Sequence, residues 1–521
     1  MTLKVTRWFV VGIVAALIVL TIAAAAGSRT ETLRRLVTEK LAERLESDIE
    51  LSAFSVDTFP TVTVRGEGLV IRHRGRRDVP PLVSIESFSV EGGVIGLLSR
   101  PRRFRSVTLN GLRINIPPGG LKAGVTEDSD SLPAASEVPD EREQSPFIIA
   151  RLHADGAELR IIPREDGKEP RLFSIHRLEM QSLGAAERMP FQAQLTNPVP
   201  KGTIDTEGEF GPWRKHDPGL TPLGGRYRFA EADLSTIKGI GGILESHGEF
   251  SGQLQRIAVI GETTTPDFRV NVSGLPVPLT SRFQAVVDGT NGNTYLNDVH
   301  ATINKTSLYA KGAVTGTKGV KGRTVQLNVK IEEGRIEDLL RLSVKSDKPP
   351  MIADVALQTD FLLPPGEPDV VERLRLDGSF DVDGRFTDRK VQSKLTGMSD
   401  RASKDDAVKT GSNVVSGLSG RFRLQDGVLT FPELGFEIPG ARVNLHGTYG
   451  LQSEQLAFDG KLLMDATISE AAGGGIKGFF LKAVDPFFKK RNAGAVLPLK
   501  VRGTRSDPKF GLDVVKAITP K

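Results

Sequence analysis

The chain of 521 residues has no cysteine, which excludes disulfide scaffolds, thiol catalysis and thiolate metal sites. It holds only 2 Trp and 4 Tyr, too few for the two aromatic girdles of a transmembrane β-barrel, and its 25 Phe read as interior filler. The seven histidines (His73, His153, His176, His216, His247, His300 and His446) are scattered, with no metal-ligand spacing such as H-E-x-x-H. No G-x-S-x-G or P-loop is present, and Gly239-Ile240-Gly241-Gly242 lacks the rest of a dinucleotide fingerprint. Glu245-Ser246-His247 is contiguous, but neighbours on a strand point to opposite faces and do not form a triad. The expectation is a non-enzyme without catalytic, metal or cofactor residues. Charge of one sign is also missing: 69 Lys+Arg against 64 Asp+Glu leave +5 with no basic stripe, so no nucleic-acid partner is expected.

At 39% hydrophobic and 26% charged residues, the composition is that of a folding chain, long enough for about three domains. Long apolar runs occur once. Trp8 to Ala26 carries no charge, and at 1.5 Å per residue it reaches ~28 Å, close to the hydrocarbon thickness of a bilayer. A retained N-terminal transmembrane helix (1–27) is the expectation. A cleaved signal peptide ending near Ala24-Ala25-Ala26 is the alternative, although signal cores are usually shorter. Lys4 and Arg7 precede the span while Arg29, Arg34, Arg35, Lys40 and Arg44 follow it, so the charges leave only a slight preference for an inside N-terminus.

Thr32–Glu46 has an apolar stripe at helical spacing; from Leu51 onward the period is two. Val62 and Val64, Val107 and Leu109, then Leu112, Ile114 and Ile116 alternate with polar or small residues, punctuated by Gly and Pro. The acidic stretch 121–146 reads as a disordered loop, and Ser399–Gly411 as a second mobile one. Gly292, Leu296, Val299, Ile303, Leu308 and Gly312 align at a constant offset with Gly427, Phe431, Leu434, Ile438, Val443 and Gly447. That echo suggests a repeated hairpin, although generic hairpin patterning produces the same spacing. The predicted architecture is mainly β: after the anchor, a long curled antiparallel sheet with a few short helices. So little helix cannot cover the apolar face of so long a sheet, which must curl on itself or keep a groove for something else.

Three groups of residues stand out. Arg72, Arg74, Arg76 and Arg77, with Arg102, Arg103 and Arg105, form two loop-like basic clusters suited to anionic headgroups or a membrane surface; the bland reading is a solvated loop. Ile476, Phe479, Phe480, Phe487 and Phe488 lie before or beside Lys489-Lys490-Arg491 and would form a helix that caps the sheet or lies in a membrane interface. The inward sets Leu112, Ile114 and Ile116, and Leu429, Phe431, Leu434, Phe436, Val443 and Leu445, would line a lipid groove or a dry core.

Several blocks resemble the AsmA-like family of diderm bacterial envelope proteins. At the start these are RRLVTEKLAERL, IELSAFSVDTFPTVTVRGEGLVI and PPLVSIESFSVEGGVIGLLSRPRRFRSVTLNGLRINIP. At the end they are GLSGRFRLQDGVLTFPELGFEIPGARVNLHGTYGLQSEQLAFDGKLLMDATIS and LPLKVRGTRSDPKFGLDV. The resemblance covers about residues 1–120 and 370–521 and the middle only in texture; it is to patterns of apolar residues and glycine, which speak to fold more than to activity. It implies an anchor and N-terminal region (28–120), a middle β-groove (147–369) and an AsmA-like C-terminal domain (370–521). It further implies an inner-membrane protein with its body in the periplasm, related to chorein-type bridge-like lipid-transfer proteins. Its expected partners are membrane phospholipids and proteins of either membrane. The expected role is phospholipid conduction in outer-membrane biogenesis, with a non-transporting scaffold for outer-membrane protein assembly or targeting as the alternative.

Overall fold

A computed structural model describes residues 38–39, 47–58, 61–73, 80–116, 147–161, 171–387, 415–464 and 496–512, apart from 186, 215–216, 318–319, 321, 347 and 506, together with scattered positions between 389 and 399. The expected anchor, most of the juxtamembrane helix, the acidic loop, most of Ser399–Gly411 and the Phe-rich 476–488 segment lie outside the described residues. Among the described residues, no helix is long and apolar enough to cross a membrane.

The protein is mainly β, with one long mixed sheet. The chain divides into two units: Met1–Ala232 with Glu245–Gly261 and Val287–Asn291, and Asp233–Leu244 with Glu262–Val286 and Gly292–Lys521.

The first unit opens with β1 (Ser47–Glu50), β2 (Ala53–Asp57), β3 (Val62–His73) and β4 (Val83–Gly92). Short helix α1 (Val94–Leu98) leads into β5 (Arg102–Asn110) and β6 (Arg113–Ile116), separated by Gly111 at φ +60°. Then come β7 (Phe147–Ile161), β8 (Arg171–Leu183), β9 (Met189–Pro198), β10 (Lys201–Phe210) and β11 (Pro222–Asp233).

The expected all-antiparallel order fails at one place. Both β5 and β6 pair with β7 in parallel, Arg102 with Phe147 through Ile116 with Ile161. Parallel neighbours need a return connection of a dozen or more residues. The acidic stretch between Ile116 and Phe147 is that connection, which gives its length a topological cause.

Strands β1 to β7 build a closed core. Val64, Val83, Ile85, Val90 and Ile149 are all within 1% of complete burial, with Phe54, Phe88, Phe104 and Phe147 packed among them. Gly66, paired with Phe88, is required there: a β-carbon at 66 would lie 2.3 Å from the ring that covers it.

The second unit carries β12 (Ile240–Gly241), paired with the end of β14. Strands β13 (Ile243–Gln253), β14 (Arg256–Val270) and β15 (Val277–Val287) have residues in both units. It continues through β16 (Thr294–Ile303), β17 (Thr306–Thr315), β18 (Thr324–Arg335), α2 (Ile336–Ser343), β19 (Met351–Leu363), α3 (Val370–Arg373) and β20 (Arg375–Phe386). It ends with β21 (Ser416–Gln425), β22 (Val428–Ile438), β23 (Ala441–Gly450), β24 (Gln455–Met464), β25 (Val496–Thr504) and β26 (Pro508–Leu512). From β16 each strand pairs antiparallel with the next.

Helix α2 lays Ile336, Leu339 and Leu340 on the cluster of Met351, Ala353, Val355 and Val382. It is pinned by the buried Asp338 carboxylate, which accepts from Asn304 Nδ2 at 2.5 Å, Thr306 Oγ1 at 3.0 Å and the Lys305 backbone N–H at 3.2 Å. A buried charge with three donors is a satisfied one.

The internal echo has a structural counterpart. Hairpins β16–β17 and β22–β23 share their register: Leu296 opposes Gly312 as Phe431 opposes Gly447, and Val299 opposes Ala310 as Leu434 opposes Leu445. Both carry a bulge at the same step, between Leu296 and Val299 and between Phe431 and Leu434.

Candidate functional site

Strand β20 states the local rule. Arg375, Asp377, Ser379, Asp381, Asp383 and Arg385 face outward, while Leu376, Phe380, Val382 and Phe386 face inward with two glycines between them. The same alternation runs on to β25, and the register aligns the inward residues into rows. One row runs Val382, Leu418, Phe436, Val443 and Leu462; the next runs Phe380, Gly420, Leu434, Leu445, Gly460 and Leu499. A third joins Phe431, Gly447, Phe458 and Val501, and a fourth Leu429, Tyr449 and Leu456. At two residues per row and 3.3 Å per residue, four rows make a band about 20 Å across.

Glycine interrupts the second and third rows, at Gly420, Gly460 and Gly447, and phenylalanine rings lie near one another across the band. Phe422 lies 6.0 Å from Phe380, which lies 6.2 Å from Phe431, itself 5.8 Å from Phe458. The glycines are where strands approach most closely: a β-carbon at Gly460 would come within 2.0 Å of the Asn444 carbonyl oxygen.

This band brings together Leu429, Phe431, Leu434, Phe436, Val443 and Leu445 on one face. Val443 is buried, whereas the other five are only half-buried. Buried apolar clusters in this unit are small, one around Met351 and Val382 and one around Ile438 and Ala441, and Phe422, Leu424, Phe458 and Val501 are buried as well. Leu112 and Ile114 are half-buried too and pack against the large cluster of the first unit, as Phe436 packs against the small cluster of Ile438 and Ala441. Ile116 is placed by its pairing with Ile161.

The outward face is wet and charged. Arg423–Asp377, Arg442–Glu437 and Arg502–Asp459 pair at 2.7–2.8 Å with both partners well exposed, so solvent screens them and each contributes little to stability. A concavity of about 1040 Å³ takes in this outward set, including Asp381, Arg421, Glu437, Arg442 and Lys461. Its lining also takes in Leu418, Leu434, Phe436, Leu445 and Leu499 of the inward rows, so charged and apolar residues share it. Burial pushes the Tyr449 phenol, on the inward face, above its ordinary range; the Glu454 charge adds to this and Arg505 opposes it. In the first unit burial also raises Tyr227, against a hydrogen bond with Ser246 at 3.1 Å. Ser246 is buried and the adjoining His247 exposed, so the two side chains lie on opposite faces. Among the described residues, no group of three or more His, Asp or Glu is placed to hold a metal ion.

The two basic clusters separate. Ile71 pairs with Val83 at one end of β3 and Val62 with Gly92 at the other. Arg72 sits at the first end, 3.7 Å from Glu50, while Arg102, Arg103 and Arg105 sit at the second, about 30 Å away along the strands. The clusters are two, as expected, but Arg72 on β3 and Arg102, Arg103 and Arg105 on β5 lie in strands rather than in loops. Arg74, Arg76 and Arg77, like Ile476, Phe479, Phe480, Phe487 and Phe488, lie outside the described residues.

Periodicity did not single out the side chains of α1. Val94, Ile95 and Leu98 are exposed, and the signal available was an apolar run, VIGLL, placed where a hairpin turn should be polar. No protein-family profile, curated protein or solved structure matches this chain.

Proposed function

We propose that this protein shields the acyl chains of phospholipids on the inward face of its sheet and conducts them along it. One observation carries the reading: across β21 to β25 the register aligns rows in which Leu418, Leu429, Phe431, Leu434, Phe436, Leu445 and Leu462 stay half-buried, beside the buried Val443, Phe458 and Val501. An apolar band left part-open to water is unfavourable by roughly 25 cal/mol per Å² and is the signature of a binding surface. Acyl chains need apolar contact and no directional polar partner, which is what Leu429, Phe431, Leu434, Phe436 and Leu445 offer. Sliding requires no catalytic residue, and the direction of movement comes from outside the chain.

The resemblance to the AsmA-like family supplies the setting. The anchor lies in the inner membrane of a diderm bacterium, the body in the periplasm, and the lipids serve outer-membrane biogenesis. The test is lipid content: full chain isolated in membrane-lipid nanodiscs is released into the gas phase, and phospholipids bound per chain are counted by native mass spectrometry. Several lipids per chain, retained under activation that strips nonspecific lipid, support a continuous groove. A folded chain with none refutes it and favours the scaffold reading, in which the apolar face is closed.

A further inference from the structure

We infer that α1 and the arginines beside it form a docking tip for an anionic lipid surface. The helix is held rigidly. Leu97 packs onto the closed cluster, and Gly96 rests on β5, where a β-carbon would lie 2.8 Å from the Arg103 carbonyl oxygen. Ser99 Oγ lies 2.7 Å from the carbonyl oxygens of both Gly96 and Pro101, fixing the turn into β5.

What this scaffold presents is apolar. Ile95 is 87% exposed, Leu98 77% and Val94 55%, the most exposed group of large apolar side chains that neighbour one another in sequence among the described residues. Around them stand Arg100, Arg103 and Arg105, exposed and without an ion-pair partner among the described residues, with Arg102 half-buried. The nearest acid in sequence, Glu91, accepts from Ser106 Oγ at 3.0 Å.

The occupant follows from this chemistry. Three apolar side chains are far too small for a stable protein interface, which needs about 800 Å² per partner. They match the shallow interfacial burial of membrane-surface elements, ~5–10 Å deep, with basic residues at headgroup level. The unpaired positive charge selects an anionic surface. This docking does not depend on whether the inward face carries lipid.

The cysteine-free chain allows a clean test. Full chain with Ile95→Cys, labelled with an environment-sensitive fluorophore, is reconstituted into vesicles of phosphatidylcholine alone or mixed with phosphatidylglycerol. Val199→Cys, at a site 60% exposed in the β9–β10 turn, serves as the control position. The expected result is a blue-shifted emission at position 95, quenched by spin-labelled lipid, on phosphatidylglycerol vesicles only, with no change at position 199. Each arginine lost lowers the docked-to-free ratio about fivefold, so adding Arg103→Gln and Arg105→Gln lowers it about 25-fold. Both arginines are exposed, and circular dichroism verifies that the variant is folded. Equal signals on both vesicle types, no signal on either, or a signal unmoved by the arginine changes overturns the inference.

Discussion

Replacing Leu434 and Leu445 by Asp places two carboxylates opposite one another in the middle of the inward band. Both leucines are half-buried, so in the lipid-free protein the new side chains reach water. The loss is roughly 1 kcal/mol of apolar burial at each site, and cross-strand repulsion adds up to about 1 kcal/mol. That leaves a fold of ordinary stability standing. Passage of an acyl chain is another matter, because the carboxylates must then leave water. Their cheapest route is protonation, which at pH 7 costs about 4 kcal/mol for an Asp of ordinary pKa near 3.9, or roughly 1000-fold in rate for one carboxylate alone. At pH 5 the cost per carboxylate falls to about 1.5 kcal/mol, so acidification restores transfer in the variant. The assay follows a fluorescent phospholipid from donor vesicles bearing the full chain to acceptor vesicles, at both pH values. Thr430→Asp with Asn444→Asp, on the outward face of the same two strands, serves as the control and transfers like the parent. Undiminished transfer by a folded Leu434→Asp/Leu445→Asp protein at pH 7 would refute the reasoning. Val443 is a poorer choice for such a plug, because it is buried and its loss threatens the fold.

Other consequences concern the sheet. Gly460→Ala forces a β-carbon against the Asn444 carbonyl and lowers stability by about 2 kcal/mol or more, read as a shifted denaturation midpoint. Gly427→Ala, in a turn at φ +70° with open space around it, costs only about 1 kcal/mol in the same measurement. Asp338→Ala leaves the donors at Asn304, Lys305 and Thr306 without their acceptor and destabilises by about 2–4 kcal/mol; hydrogen exchange rises first in α2 and the β16–β17 turn. Arg442→Ala removes an exposed pair and leaves the denaturation midpoint nearly unchanged, and high salt erases what difference there is.

Much of the sheet was legible because period-two patterning is strong where one face is apolar and the other charged. Leu429, Phe431, Leu434, Phe436, Val443 and Leu445 were chosen for alternation alone, and the register puts them together even across the bulge after Phe431. The two matching hairpins were legible as well, since the spacing in each is set by hairpin geometry.

Alternation says which residues share a face but not what covers it. Leu112 and Ile114 carry the same pattern and the same partial burial as Leu434 and Leu445, yet they lie against the large first-unit cluster. The parallel step at β7 was hidden because strand direction leaves no mark in side-chain pattern; the long acidic connection was the available clue. The basic residues read as two clusters, and β3 and β4 carry Arg72 and Arg102 to opposite ends of the strands.

The central claim is that acyl chains contact one face and not the other. Site-specific photocrosslinking of the full chain in living diderm cells tests it, with a photoreactive residue at Phe431, Leu434 or Leu445 and, for comparison, at Thr430, Asn444 or His446. The account predicts phospholipid adducts at the three inward positions and none at the three outward ones. Adducts on both faces alike, or none at Phe431, Leu434 and Leu445, would contradict it.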